Sequence, residues 1–377
     1  MCDPIYVGVL FSTSGLVSTI EQSQLKGTLF AIEQINAAGG IHGREIIPKY
    51  YNPGSSPGNY RVLAETLFQK DQVNVIFGGY KSSTRKAMLP VVEKWNKLLF
   101  YPTLYEGFEC SKNIIYTGSV PNQNSVQLAE YLMEHYGPRV YLIGSDYIYP
   151  HESNRIMSDL IYQHPHGEKL AERYVPLNAT LEDFRWIIQD IKHQQPDFIF
   201  STVVGNATTA LYQAYAKAKL DPYKMPIASL TTQEVEIAHM GADLGEGHIA
   251  SAPYFQSLQT ATNQQCLQLF RACFGPDAVV NAGWEAAYFQ VHLYANALRQ
   301  AQSEEIEQLL PALLKQEFHA PQGKIRIDPD NHHTYLQPRI GIADANGQFR
   351  VVWESPVAIK PDPYLVTHTF SKTPLSI

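Results

Sequence analysis

Ile5-Tyr6-Val7-Gly8-Val9-Leu10-Phe11 is a continuous apolar run close to the start of the chain. Such a run is typical of a strand that is buried on both faces, as strands of parallel sheets are. A short polar loop follows at Ser12-Thr13-Ser14-Gly15, and apolar residues then recur at helical spacing from Leu25 to Ile35. The chain therefore begins with a strand, a loop and a helix, which predicts an α/β fold.

The same alternation continues in two series. The first has strands predicted near 46–50, 73–77 and 97–101, with helices between them. The second begins after Pro121 and has strands predicted near 139–143, 170–175, 197–203 and 226–230. We expect two doubly wound parallel sheets, each with helices on both faces.

The end of the chain breaks this alternation and indicates two lobes. Chain crossings are expected near 118–121, 250–253 and 328–336, which gives three hinge connections. Lobe 1 is predicted to contain residues 1–120 and 252–330, and lobe 2 residues 121–251 and 331–377. Lobes joined in this way close on a ligand by hinge motion, so a ligand cleft is expected between them.

Composition narrows the class of protein. Of 377 residues, 45% are hydrophobic and 17% charged, which favours a packed globular protein over a disordered one. The net charge of −7 argues against direct nucleic-acid binding, which depends on neutralising phosphates. Four cysteines without a Cys-x-x-Cys pair are interpreted as thiols in a reducing compartment. No secretory signal or membrane-spanning stretch precedes the first strand, so a cytoplasmic location is expected.

Two tyrosine-rich stretches mark the predicted binding site. Phe100 to Glu109 follows a strand of the first series, and Gly144 to Pro150 follows a strand of the second. Ligands of open α/β sheets bind beyond the carboxyl ends of the strands, so the two stretches are expected to face one cleft. The candidate contacts at such strand ends are Tyr80, Ser82, Tyr101, Thr103, Tyr147, Tyr149, Val203 and Thr231.

Each candidate also has a purely structural interpretation. Ser82 opens a predicted helix, where serine commonly serves as the N-cap. A tyrosine in such a position is as often a packed aromatic residue with a satisfied hydroxyl as a ligand contact. The grouping at strand ends favours the binding interpretation, and apolar walls with phenol hydroxyls suit a small, neutral, polar ligand.

Sequence motifs of catalysis are missing. The chain has no Gly-x-Ser-x-Gly elbow, no P-loop and no Gly-x-Gly-x-x-Gly fingerprint. His332-His333 lies in a polar stretch and is interpreted as a solvated loop rather than a metal site. Cys110 stands near Glu106 and Glu109, whose charges raise the pKa of a thiol and make it a poor nucleophile. We expect neither an enzyme nor a cofactor.

Several stretches carry a resemblance to a known family. They include Tyr101-Pro102-Thr103, Pro121-Asn122-Gln123-Asn124-Ser125, Ser201 to Gly205, Ala228 to Thr232 and Pro361-Asp362-Pro363-Tyr364. The chain resembles the type I periplasmic-binding-protein-like family of Leu/Ile/Val, amide and urea binders. Within it, the chain is most similar to cytoplasmic amide sensors, which are negative regulators of an aliphatic amidase operon.

The resemblance implies both a ligand and a partner. The implied ligand is a short amide similar to acetamide. The implied pocket consists of Tyr80, Ser82, Tyr101, Thr103, Tyr147 and Tyr149. Leu104 stands where the amide sensors carry a proline, which affects the alkyl end of that pocket. The implied partner is an RNA-binding transcription antiterminator that is held inactive until the amide arrives. A homodimer is left open.

The sequence is also compatible with three other functions. The first is the solute-binding receptor of an ABC transporter for short amides or urea. The second is an amino-acid receptor, which needs a carboxylate facing the ligand ammonium, and Asp146, Glu234 and Glu285 are its candidates. The third is a hydrolase, for which no nucleophile is found.

Overall fold

The first part of the chain builds a five-stranded sheet with helices on both faces. The structure, a computed structural model, describes residues 3–366. The elements of this part are β1 (Ile5–Leu10), α1 (Ser18–Ala37), β2 (Ile46–Tyr51), α2 (Pro57–Gln69), β3 (Val75–Gly78), α3 (Ser82–Lys94), β4 (Leu98–Tyr101) and β5 (Ile114–Tyr116).

A second series of elements builds a seven-stranded sheet. After a 3-10 turn at Pro121–Gln123 come α4 (Ser125–His135), β6 (Arg139–Ser145), α5 (Ile148–Gln163), β7 (Glu168–Val175), α6 (Arg185–Gln194), β8 (Phe198–Thr202), α7 (Asn206–Lys217), β9 (Ile227–Ser229), α8 (Glu234–Met240), α9 (Ala242–Gly245) and β10 (Ile249–Ala252).

The last part of the chain returns to the first sheet and then completes the second. Its elements are α10 (Ala261–Phe274), α11 (Ala282–Ala301), α12 (Ile306–Leu313), β11 (Glu317–Ala320), β12 (Gly323–Ile327), β13 (Thr334–Tyr335), β14 (Arg339–Ala343) and β15 (Phe349–Glu354). Strands β11, β12 and β13 form a small antiparallel sheet. We call the five-stranded sheet with its helices lobe 1, and the seven-stranded sheet with its helices lobe 2.

The parallel parts of the two large sheets have one topology. Lobe 1 has the order β2-β1-β3-β4-β5, and all its strand pairs are parallel. Lobe 2 repeats this order as β7-β6-β8-β9-β10 and extends it with the antiparallel strands β14 and β15. The expected α/β fold of two doubly wound lobes is confirmed. The direction of the strand order reverses between β1 and β3 in lobe 1 and between β6 and β8 in lobe 2. Sheets of this kind bind their ligands at such a reversal point.

Close helix packing covers one face of the lobe 1 sheet. The longest helix contact joins α1 to α11, and Gly27 lies in it. A Cβ atom at Gly27 would lie 2.5 Å from the backbone oxygen of Trp284. Phe30 stacks beside the same tryptophan in the core formed with β1, β3 and β4. The small residue at 27 thus allows the two helices to approach closely enough to seal this core.

The third connection between the lobes corrects the interpretation of His332-His333. Both side chains are buried, not solvated. The ring of His333 lies parallel to that of Tyr116 at 4.1 Å, and its Nε2 is 2.6 Å from the hydroxyl of Tyr105. Burial lowers the pKa of His333 to about 3, so the ring is neutral. The polar neighbours along the chain gave no sign of these long-range partners.

Other local predictions also changed. The structure adds β5 and β11, which the sequence pattern did not predict. Cys110, Cys266 and Cys273 are free thiols, while Cys2 lies outside the described residues. Between residues 3 and 366, no helix is both long and apolar enough to cross a bilayer.

His248 generates a testable pH dependence of stability. Its Nδ1 accepts the backbone N–H of Ile227 at 2.9 Å, and burial lowers its pKa to about 3. Its contribution to stability is therefore complete above the unfolded pKa of about 6.5 and is lost as the pH falls. We predict that His248→Gln destabilises the protein at pH 7. The difference in unfolding free energy from the native protein should shrink by about 1.4 kcal/mol per pH unit between pH 6 and 4.

Urea unfolding at several pH values measures this difference. His166→Gln, at an exposed position, is the matched control and should show a small, constant difference. A constant difference for His248→Gln as well would contradict the assignment of a neutral, buried His248.

Candidate functional site

A small cavity lies between the lobes at the carboxyl ends of their strands. Its volume is about 10 Å³, room for a single water-sized group. We call it the tyrosine cavity. Its lining contains no charged side chain and consists of Tyr80, Ser82, Thr103, Leu104, Tyr147, Tyr149 and Thr231. Seven of the nine predicted contact residues are thus brought together at one place.

Ser82 presents an acceptor to this cavity. It is the first residue of α3, while Lys81 holds the N-cap position, so Ser82 is not the cap that sequence reasoning allowed. The Ser82 hydroxyl donates its proton to Glu106 and accepts a long hydrogen bond of 3.4 Å from Arg85. Since a hydroxyl has one proton, only oxygen lone-pair capacity is left for a ligand.

A buried ion network supports Ser82 from behind. The guanidinium of Arg85 is fully buried, and its Nε donates to Glu109 at 2.7 Å. Its Nη2 lies 3.4 Å from Glu106, and its Cζ lies 4.2 Å from the ring centre of Tyr105. Burial raises the pKa of Glu109, but the charges and hydrogen bonds of Arg85 and Lys86 together outweigh it, and the net pKa is lowered. Paired in this way, the buried charges fix the loop after β4 against the start of α3.

Thr103 and Leu104 form the wall of the cavity that follows β4. The Thr103 hydroxyl donates to the carbonyl of Gly79 at 3.1 Å and accepts from Nε2 of Gln24 at 2.8 Å. Its proton is therefore already used. Leu104 contributes an apolar side chain that packs with residues of both lobes.

Lobe 2 contributes two tyrosines and a threonine. Tyr147 precedes α5, but Tyr149 lies in its first turn, so the second tyrosine stretch is not wholly a loop. The hydroxyl of Tyr149 is buried and has no hydrogen-bond partner of acceptable geometry within residues 3–366, although Ser153 lies near it. Burial raises the pKa of Tyr149, so this phenol keeps its proton. Thr231 follows β9, and its backbone N–H donates to Ser229.

Tyr101 and Val203 do not line the cavity. Tyr101 is fully buried and donates its hydroxyl to the carbonyl of Tyr80, so it supports the cavity wall from behind. Val203 is also fully buried, in the core formed by β6, β8 and the helices α6 and α7. The next residue, Val204, packs beside Tyr149 of its own lobe and against Tyr80 across the cleft.

The cleft is closed in this structure. Val17, Ile20 and Tyr80 of lobe 1 pack against Tyr149 and Val204 of lobe 2. Gly205 has φ of +66°, and a Cβ atom there would lie 2.4 Å from the backbone oxygen of Leu16 across the cleft. Arg155 of lobe 2 lies 5.1 Å from the ring centre of Phe108 of lobe 1.

A second, larger cavity adjoins the tyrosine cavity and shares four of its residues. Its volume is about 40 Å³, and we call it the inner cavity. Sequence reasoning considered Glu285 but missed the other amide and carboxylate residues of its lining, which are Gln24, Gln233, Glu236, Asn281 and Gln322. All of these except Gln24 lie at the start of a helix or just after a strand, but Gln24 is inside α1, and no local pattern connects them. Among the described residues, no group of His, Cys, Asp and Glu is arranged to hold a metal.

The acids considered for an amino-acid receptor lie in three different settings. Asp146 is exposed and pairs with His151 at 2.8 Å, so it does not point unpaired into the cleft. Glu234 is buried and accepts from the backbone of Gln256. Glu285 lines the inner cavity, where it accepts twice from Gln322.

Comparisons with known proteins agree with this architecture. The family profile described as periplasmic binding protein domain matches residues 5–369. Over 335 residues, the chain is 23% identical to the leucine-, isoleucine-, valine-, threonine-, and alanine-binding protein of Pseudomonas aeruginosa, covering 86% of each chain. Limonene hydroxylase of Geobacillus stearothermophilus is 33% identical over 132 residues, which span 34% of this chain and only 24% of that protein.

Solved structures show the same fold. A solute-binding protein of an ABC transporter from Rhodopseudomonas palustris HaA2, in complex with p-hydroxybenzoic acid, has a TM-score of 0.85 at 20% identity, covering 97% of this chain and 100% of that one. The substrate-binding protein of a branched-chain amino acid transporter from Streptococcus pneumoniae, in complex with isoleucine, has a TM-score of 0.81 at 19% identity, covering 95% and 100%.

The family profile and the geometry of the structure lead to the same assignment. Two lobes of one topology enclose a small cavity at their strand ends, and a family profile covers nearly the whole chain. The chain is a ligand-binding protein that belongs to the periplasmic binding protein family of the Leu/Ile/Val-binding type.

Proposed function

We propose that this protein binds a short, uncharged aliphatic amide in the tyrosine cavity. The observation that carries the proposal is that one cavity is lined by both a free hydroxyl donor, on Tyr149, and a hydroxyl acceptor, on Ser82. The buried Tyr149 hydroxyl lacks a partner of acceptable geometry and offers a proton, while the Ser82 oxygen has given its proton to Glu106. A primary amide needs one donor for its carbonyl oxygen and one acceptor for its NH2 group, and these two hydroxyls supply both.

The lining of the cavity favours a neutral ligand. The seven lining residues carry phenol, hydroxyl and alkyl groups only. A carboxylate or an ammonium in such a closed site would lack a countercharge, and burying an unpaired charge is costly. Leu104, which replaces the proline of the amide sensors, supplies the apolar wall for the alkyl end of the ligand.

The volume of the cavity favours a small ligand. About 10 Å³ in the tyrosine cavity leaves room for about one water-sized group while the lobes are closed. A ligand of the size of acetamide or butyramide requires a small adjustment of the lobes. An aromatic acid requires the lobes to separate.

The role that we propose is that of a cytoplasmic, ligand-responsive negative regulator. The amide shifts the balance between open and closed lobes and so weakens the hold on an RNA-binding transcription antiterminator. This role is supported by the resemblance to amide sensors. A ligand shifts such a balance only by its differential affinity for the two states, and a swing from 1:99 to 99:1 needs about 5.5 kcal/mol. We expect a smaller shift and reversible release.

A second candidate is the solute-binding receptor of an ABC transporter for short amides or urea. It is favoured by the relatives, since the proteins of similar structure are described as transporter solute-binding proteins. Binding in the tyrosine cavity is common to both candidates. They differ in the partner of the closed form.

We predict that Tyr149→Phe weakens butyramide binding by about 5- to 10-fold, because it removes one hydrogen bond of about 1–1.5 kcal/mol. Tyr149→Ala also removes the apolar wall and should abolish measurable binding while leaving the fold intact. Calorimetric titration gives both affinities, and circular dichroism gives the fold. Tyr162→Phe, at an exposed position of the same helix, is the matched control and should bind as the native protein does. Affinity of Tyr149→Ala within a few-fold of native would place α5 outside the site.

We predict that Gly205→Ala disfavours the closed form. Its Cβ atom would meet the backbone oxygen of Leu16 only when the lobes are closed. The radius of gyration from small-angle X-ray scattering should therefore stay at the open value when butyramide is added. Closure of the variant to the native radius would contradict the contact between Gly205 and Leu16.

We predict that butyramide releases the RNA-binding antiterminator from this protein. Analytical ultracentrifugation of the mixed proteins should show a complex that dissociates as the amide is added. A complex that never forms, with or without amide, would remove the regulatory role. Amide binding by titration would then leave the transporter receptor as the surviving candidate.

A further inference from the structure

The inner cavity contains more unpaired acceptors than donors. The Oε1 atoms of Gln24 and Gln322 are buried and have no hydrogen-bond partner within residues 3–366. Oε1 of Glu236 likewise has no partner of acceptable geometry there, although the side chain of Asn281 lies near Glu236. One donor, Nε2 of Gln233, is also unpaired. All four residues line the cavity.

The identity of each unpaired atom follows from the partner of the other end of its side chain. Nε2 of Gln24 donates to Thr103, and Nε2 of Gln322 donates to Glu285 at 2.6 Å, so the free ends of both amides are oxygens. Oε1 of Gln233 accepts the backbone N–H of Ala282, so its free end is the NH2 group. Gln24 and Gln322 are at least 98% buried, and polar atoms left unpaired at such depth are costly without an occupant.

We propose that the inner cavity is a second binding site, for a small planar molecule rich in N–H donors. Three acceptors and one donor complement a group that carries several N–H bonds around one carbon, the chemistry shared by urea and guanidinium. A volume of about 40 Å³ holds about three water-sized groups, which is close to the size of a molecule of four heavy atoms while the lobes are closed.

Glu236 distinguishes the neutral from the cationic version of this ligand. Its Oε2 accepts the backbone N–H of Gln233 at the start of α8, which leaves Oε1 for the cavity. An ionised carboxylate at this place favours a cation, whereas a protonated one favours a neutral molecule. Burial raises the pKa of Glu236 to about 7, so both forms are present near neutral pH.

The experiment is a calorimetric titration with urea and, separately, with guanidinium chloride against a sodium chloride reference. Gly283→Ala tests the location, because its added methyl group enters the cavity 3.4 Å from Nε2 of Gln24. Gly283 is the second residue of α11, where alanine is a better helix former, so the fold should be kept. Glu236→Gln tests the charge and keeps the α8 cap, since glutamine serves equally at that position.

Saturable binding of at least one probe is expected, with at least a 10-fold loss in Gly283→Ala. Guanidinium binding should fall at least 10-fold in Glu236→Gln, and urea binding at most 3-fold. Glu33→Gln removes the same charge at an exposed position and should change neither. Butyramide affinity in Gly283→Ala should stay within 2-fold of native, because the tyrosine cavity is untouched.

Three outcomes would overturn the proposal. The absence of saturable binding would mean that the cavity holds ordered water only. Probe binding that is unchanged in Gly283→Ala would place the probe elsewhere. Loss of butyramide binding in Gly283→Ala would mean that both cavities hold a single ligand. A different result would contradict the proposed function itself, namely that butyramide does not bind the native protein. That result is distinguishable from all three outcomes above.

Discussion

The burial of Arg85 is the constraint on which the rest of the site depends. A guanidinium without solvent access must be paired, and breaking such a pair costs about 3–5 kcal/mol. Its partners Glu106 and Glu109 lie on the loop after β4, and Arg85 itself lies on α3. The network therefore joins two strand-end segments that are not adjacent in sequence. Within this network, the Ser82 hydroxyl donates its proton to Glu106. The Ser82 oxygen can therefore only accept a hydrogen bond from a ligand.

The same network connects the binding site to the hinge. Tyr116 donates to Glu109 at 3.0 Å and stacks on His333, which lies where the chain passes from lobe 1 to lobe 2 for the last time. A change in lobe angle at this crossing is thus only two contacts away from the wall of the tyrosine cavity. We infer that ligand occupancy and lobe angle are coupled through packed side chains, by a path that the sequence order of these residues does not reveal.

The fold and much of the site are predictable from the sequence because both follow from local patterns. Apolar runs mark the strands, and residues directly after them, such as Tyr80 and Thr103, must lie at the ligand-binding edge. Tyr101 and Val203 lie behind the cavity wall because adjacent positions at a strand end face opposite ways, and a sequence pattern does not show which position faces the cleft. Gln24 and Gln322 lie on the lobe 1 side of the inner cavity and Glu236 on the lobe 2 side, so only tertiary packing brings them together. His333 was misassigned because its burial depends on a partner 217 positions away along the chain.

Calorimetric titration of the purified protein with acetamide, butyramide, urea and leucine tests the central claim most directly. The account predicts that a short amide binds with one-to-one stoichiometry to the tyrosine cavity and that leucine produces no heat of binding. Leucine as the tightest ligand would contradict it, because an uncharged cavity has no countercharge for an ammonium or a carboxylate. The absence of binding by either amide would contradict it equally and leave only the family and the fold.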